Sequence, residues 1–90
     1  FALHNNYPNP FNPITNIRYD IPEVSDVKID IYNLAGKKVK TLVSSNHQPG
    51  RYKIQWNATN ESGAPVSTGM YIYKIRAKDF VSVKKLLLMK

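Results

Sequence analysis

Ninety residues with 13 lysines and arginines against 6 acidic side chains, a formal charge of +7 and no cysteine make one small domain with a single core and little room for a walled-off active site. The missing cysteine excludes a disulfide framework, thiolate metal sites, iron–sulfur clusters and a cysteine nucleophile, and leaves the compartment open. An apolar run such as Leu86-Leu87-Leu88-Met89 falls far short of the ~20 residues a membrane helix needs, and no signal peptide opens the chain, so any such signal is expected upstream.

What recurs along the chain is alternation bounded by Gly, Pro and Asn, which marks strands; no segment repeats apolar residues at helical spacing. Residues 1–13 form a lead-in with three prolines and four asparagines. Each X-Pro step holds its predecessor extended, so an ordered lead-in without regular pairing is expected, packed on the domain through Tyr7 and Phe11. The domain proper is expected over 14–90. Its first strand, 15–21, sets Ile17, Tyr19 and Ile21 on one face and stops at Pro22. The next, 26–32, turns Val27, Ile29 and Ile31 inward, and Asn33-Leu34-Ala35-Gly36 follows, with Gly36 suited to a left-handed turn position. A third strand, 37–43, carries Val39, Leu42 and Val43 into a polar loop at 44–50. Tyr52, Ile54 and Trp56 alternate along 51–56, and a polar loop over 57–68 is anchored by Val66. Tyr71, Tyr73 and Ile75 share one face of 70–77; after Lys78-Asp79, the last strand, 80–89, has Leu86 and Leu88 in phase with Leu87 and Met89 pointing away. Strands at this spacing predict an all-β fold, an immunoglobulin-like antiparallel β-sandwich of about seven strands. The competing OB-type barrel usually carries a helix, and none is legible.

The inventory for catalysis is thin. His4 lies in the lead-in, and His47, beside Ser44 and Ser45, reads as a solvated loop residue with no elbow such as G-x-S-x-G to present a nucleophile. Glu23 and Glu61 sit next to turn residues, and a sandwich of this size rarely sets two carboxylates across a sugar-sized cleft. Asn57, Thr59, Asn60 and Glu61 crowd oxygen atoms into one loop, but a calcium site normally gathers several carboxylates, so Asx-turns are the expectation. The chain is therefore expected to be non-enzymatic, with no metal and no cofactor.

Charge is uneven: residues 46–90 carry eight cations and two acids, and residues 74–90 alone carry six cations and one acid. Lys74, Arg76 and Lys78 interleave with Tyr71, Tyr73 and Ile75, the composition of a single-strand nucleic-acid platform. Period two separates them, placing the tyrosines in the core and the cations outside. Nucleic acid is not expected as a partner, although a basic outer face attracts anions.

These residues assemble into a pattern that spans essentially the whole chain. Phe1-x-Leu3, Asn6-Tyr7-Pro8-Asn9-Pro10-Phe11-Asn12-Pro13-x-Thr15-x-Ile17-x-Tyr19 and Ile21-Pro22 open it; Val27-x-Ile29-x-Ile31-Tyr32-Asn33-x-x-Gly36 and Val39-x-Thr41-Leu42-Val43 continue it. Gly50-x-Tyr52-x-x-x-Trp56-Asn57, Gly63-x-x-Val66-x-x-Gly69-x-Tyr71-x-Tyr73, Asp79-Phe80 and Lys84-Lys85-Leu86-Leu87-Leu88 complete it. The ensemble resembles the C-terminal sorting domains, type A, of the type IX (Por) secretion system, which are similar to the immunoglobulin-like domain of the flagellar hook-capping protein. Two positions depart from that pattern: Ala58 and Lys78 stand where the family often has glycine.

The resemblance implies a domain fused to an upstream cargo, carried through the periplasm, and read by an outer-membrane translocon. A surface protease, the sortase of that system, then removes the signal as cargo is released or attached to lipopolysaccharide, so the destination is the cell surface or the medium. By position it implies that Lys84, Lys85, Leu86, Leu87, Leu88, Met89 and Lys90 are what the translocon reads. It also implies that Tyr7, Pro8, Asn9 and Pro10 structure the lead-in, and that Gly36, Gly50, Gly63 and Gly69 are turn residues. Two other readings compete: an accessory module of an extracellular hydrolase that binds polysaccharide or protein, for which only Tyr32 is an outward aromatic, and a structural spacer.

Overall fold

The alternating segments form strands in a computed structural model that describes residues 1–89. The strands are β1 (Ala2–Leu3), β2 (Thr15–Ile21), β3 (Ser25–Asn33), β4 (Lys38–His47), β5 (Gly50–Trp56), β6 (Gly69–Ala77) and β7 (Phe80–Leu88). They make a three-stranded sheet ordered β1-β2-β5 and a four-stranded sheet ordered β4-β3-β6-β7, antiparallel at every strand pairing. The two sheets face each other as an immunoglobulin-like β-sandwich.

Period two explains the core. Ile17, Tyr19 and Ile21 from β2, Val27, Ile29 and Ile31 from β3, Tyr71, Tyr73 and Ile75 from β6, and Leu86 and Leu88 from β7 are all buried between the sheets. Each aliphatic side chain among them contributes about 1.5–3 kcal/mol relative to an exposed one. Trp56 closes one end of the core, its ring 5.6 Å from Phe11 and 5.4 Å from Tyr71, with Nε1–H donating to the Thr59 carbonyl at 2.9 Å. At the other end Tyr19 stacks on Tyr52 at 5.5 Å.

Several expectations are corrected. The third strand does not stop at 43 but runs on to His47, because Ser44, Ser45 and Asn46 keep pairing with β3 although they bury nothing apolar. Its register shifts twice against β3, so Val39 and Leu42 are extra residues on the bulged strand. That is why Val39, Leu42 and Val43 pack against the core in spite of breaking strict alternation. The lead-in does pair: Ala2 and Leu3 lie against Asp20 and Tyr19, and Tyr7 bridges Asn16. Phe11 is buried, but Tyr7 is 74% exposed and anchors nothing through its ring. The inward positions of the lead-in are taken instead by Leu3 and Asn6; the Asn6 amide donates to Thr15 Oγ1 at 3.0 Å, and that hydroxyl donates to the Pro8 carbonyl at 2.8 Å.

Candidate functional site

The cations and the apolar terminal run meet on the β6–β7 hairpin, a ladder extending from Ala77–Phe80 to Gly69–Leu88. Leu86 and Leu88 point into the core. Alternation therefore sends Val81, Val83, Lys85 and Leu87 to the outer face, next to Arg76, Lys74, Ile72 and Met70 in that order along β6. Lys84 is not on that outer face; it shares the face of Leu86 and Leu88 and is half-buried. Lys90 lies outside the described residues.

The far end of this hairpin is clasped by the lead-in. The Phe11 amide donates to the Leu87 carbonyl and the Met89 amide to the Phe11 carbonyl, both at 3.0 Å, while Asn9 Oδ1 accepts from the Leu87 amide at 3.0 Å. The Asn9 and Phe11 of the Tyr-Pro-Asn-Pro-Phe motif thus hold the last strand's edge, with Pro8 and Pro10 exposed on either side of Asn9. Higher up, Tyr73 donates its hydroxyl to the His4 carbonyl at 2.7 Å, and Phe1 stacks on Phe80 at 5.5 Å. Burial pushes the Tyr73 hydroxyl up to about 12, against a smaller opposing effect of the Asn6 backbone. The lead-in is stitched to both sheets along its length.

The two Gly-x-Tyr motifs carry the same device. Tyr52 donates its hydroxyl to the Gln48 carbonyl, and Tyr71 donates to the Ser67 carbonyl at 2.6 Å, each reaching four residues back along the chain. This is the tyrosine-corner arrangement, which ties a loop to the strand it feeds. Gly50 and Gly69 open those two strands rather than sitting inside turns. Gly36 and Gly63 are turn residues with φ of +84°. The two non-glycine residues with positive φ are Ala58 (61°) and Lys78 (53°), the same two positions at which the sequence departs from glycine.

Beside the hairpin, on the outer face of the larger sheet, Asp30 is buried where a sandwich offers no core. Thr41 Oγ1 donates to it at 2.7 Å and the Tyr32 hydroxyl at 3.4 Å, with the ammonium groups of Lys28 and Lys38 each 4.0 Å away. Asp30, Tyr32, Lys28 and Lys38 line, with Lys74 and Arg76, a small hollow of about 110 Å³. Several cations therefore share one carboxylate, and this face is strongly positive.

The residues weighed for catalysis lie elsewhere. His47 is a buried strand residue, contrary to the loop expectation, because it faces inward two positions after Ser45. A proton on Nδ1 is donated to the Ser45 carbonyl at 3.2 Å, which leaves Nε2 to accept from the Tyr19 hydroxyl at 2.8 Å and links the two sheets. The Tyr19 hydroxyl is itself shifted upward by burial and by Tyr52. His4 meets Asp20 at 3.0 Å at the surface, in an open hollow of about 500 Å³ shared with Arg18, Arg51 and Tyr52. Glu23 pairs with Lys78 at 3.6 Å. Glu61 accepts from the Thr41 amide at 2.6 Å, and Asn60 Oδ1 accepts from the amides of Ser62 and Ala64, the Asx-turn expected of that loop. Among the described residues no three His, Asp or Glu side chains converge to hold a metal.

The protein-family model that matches the chain, over residues 14–79, is that of the FlgD Ig-like domain. Among solved structures the chain is similar to dimeric latent PorU from Porphyromonas gingivalis, with 18% identity and a TM-score of 0.74 over 94% of this chain and 9% of that one. It is also similar to PorZ, a surface component of the type-IX secretion system of the same organism, with 17% identity and a TM-score of 0.68 over 96% of this chain and 11% of that one. FLGD from P. aeruginosa aligns with 14% identity and a TM-score of 0.65, over 88% of this chain and 70% of that one. At these identities the likeness shows the fold, and the chain spans about a tenth of the length of the two Porphyromonas proteins. No curated protein sequence matches it.

Proposed function

Because the chain belongs to the FlgD Ig-like domain family, we propose that it is a non-catalytic sorting module of type A that directs a fused cargo through the type IX outer-membrane translocon to the cell surface or medium. One observation carries this reading. The two ends of the sequence pattern, Tyr-Pro-Asn-Pro-Phe and the terminal Leu-rich strand, are joined in space by the bonds of Asn9 and Phe11 to Leu87 and Met89. A spacer needs no such clasp on its last strand, whereas a signal read at that strand needs it held in one shape. The likeness to PorU and PorZ supports the setting.

The hairpin cations, Lys84 and Lys85 above all, are the groups we assign to translocon contact. The positive outer faces suit the anionic lipopolysaccharide met at the surface, and a surface sortase removes the module from its cargo. The test is a reporter fused to residues 1–90 in a host with type IX machinery, beside a double variant Lys84→Glu, Lys85→Glu. Export of the first and retention of the second in the periplasm, with both domains equally stable, is the expected result. Periplasmic retention of the unaltered fusion would sink the reading.

A further inference from the structure

A sheet edge is a row of N–H and C=O groups without partners, and proteins normally dress it. The outer edge of β4 is dressed over Val39–Thr41 by Glu61, whose backbone amide donates to the Val39 carbonyl at 3.2 Å and whose carboxylate takes the Thr41 amide. The free side of β2 is covered by β1 and by the Tyr7–Asn16 bridge. β5 carries exposed Arg51 and Lys53 along its edge, charges that deter pairing. On β7 the backbone bonds of the lead-in stop at Leu87, and the next contact is the stacking of Phe1 on Phe80 at the strand's start.

The backbone groups of Leu87 face the lead-in. By period two those of Lys85, Val83 and Val81 face the same way. Among the described residues no backbone bond reaches these three from outside the β6–β7 ladder. Their side chains stand on the outer face, with Val81 50% and Val83 55% exposed. Arg76 and Lys74 lie directly beside the two valines on β6, and neither they nor Lys84 and Lys85 form a salt bridge among the described residues.

We infer that β7 from Val81 to Lys85 takes up an extended acidic–apolar segment of another protein as an added strand. The backbone ladder would continue outward, apolar side chains of the guest would cover Val81 and Val83 on the outer face, and its carboxylates, alternating onto the opposite face, would meet Lys84. Strand addition of this kind draws affinity from main-chain bonds and selectivity from alternate side chains. An anionic membrane would satisfy the cations and the valines, but acyl chains cannot bond the three edge amides and carbonyls, and leaving those in lipid is costly. A second copy can bond them, yet each copy carries +7 and brings cations to the same edge. The inference rests on the sorting reading for the identity of its partner, whereas the binding itself is measured without any export machinery.

The experiment titrates the ¹⁵N-labelled chain with a short blocked peptide of alternating Val and Glu. Saturable slowing of amide exchange at Val81, Val83 and Lys85 is expected, with the β4 and β5 edges unchanged. Replacing Glu by Lys in the peptide should weaken binding about tenfold or more. Val83→Pro removes an outward N–H without breaking a ladder bond and should abolish protection; Val83→Glu, which keeps every backbone group and sets a carboxylate against the acidic guest, should weaken it should the proline variant unfold. The inference is overturned by an absence of protection at these amides. Protection that rises with the chain's own concentration, or a chain that binds phosphatidylglycerol vesicles and ignores the peptide, overturns it equally. A failed titration beside successful export of the reporter would remove this edge and leave the sorting reading standing; the converse would do the opposite.

Discussion

Ala58 and Lys78 hold the same left-handed backbone in different surroundings, so glycine should stabilise the domain at Lys78 and fail to do so at Ala58. A left-handed conformation costs a non-glycine residue roughly 1–2 kcal/mol, and glycine returns roughly 0.5–1 kcal/mol of that through the freer unfolded chain. Lys78 is exposed in the turn between β6 and β7, and its 3.6 Å pair with Glu23 joins two half-exposed side chains, an interaction worth about 0–1 kcal/mol. Lys78→Gly should therefore stabilise the domain by about 0.5 kcal/mol. Ala58 is 3% exposed, and losing its buried methyl costs about 0.8 kcal/mol before any residual void is counted. Ala58→Gly should accordingly be neutral to destabilising by about 0.5 kcal/mol. The gap between the variants, about 0.5–1 kcal/mol, corresponds to roughly 2–8 °C in Tm for a domain of this size. Urea unfolding followed by the fluorescence of the single tryptophan, Trp56, buried beside Phe11 and Tyr71, measures both. Lys78→Ala is the control that removes the ion pair and keeps the strain. The reasoning fails should Ala58→Gly prove the more stable variant, or should Lys78→Gly lose about 1 kcal/mol.

Two further outcomes follow from the tyrosines. Tyr71→Phe strips the donor from the Ser67 carbonyl and should destabilise the domain by about 0.5–1.5 kcal/mol in the same urea assay, whereas Tyr52→Phe, at the exposed corner, should cost less. Tyr73 titrates at about 12 in the folded chain against 10.0 as its ordinary value, so the unfolded state releases its proton first. Stability tied to this group is complete below pH 10.0 and is lost as pH climbs through about 12; the Tyr73→Phe variant should show a shallower alkaline decline in thermal melts between those values.

The long strands were legible because burial on one face imposes alternation, and β2, β5 and β6 fall within a residue of where the pattern places them. The end of β4 was not, since Ser44-Ser45-Asn46 pair without burying anything apolar, and only the register with Ser25 reveals that His47 turns inward. β1 is two residues long inside a polar lead-in and offers no period to read. Tyr7 and Phe11 have near-identical local contexts, each an aromatic flanked by Asn and Pro; what separates them is that only Phe11 reaches Trp56, a contact made across the fold. The clasp was legible as a motif and illegible as a contact, because its bonds join residues as far apart as Asn9 and Leu87.

The free edge belongs to the same class of property, since it depends on where every neighbour stops. β7 divides at Lys85–Leu86. Beyond that point Leu86 and Leu88 fill the core and the backbone edge is bonded to Asn9 and Phe11, so changes there act first on stability. Before it the backbone edge is open and the outer side chains are half-exposed valines, so changes there act on whatever the strand meets. Deleting the terminal run would therefore report on folding and recognition at once. A recognition defect with an intact fold is to be sought in Val81–Lys85, which makes the two lysines at the boundary, one facing the core side and one facing out, the residues at which export and binding are to be compared.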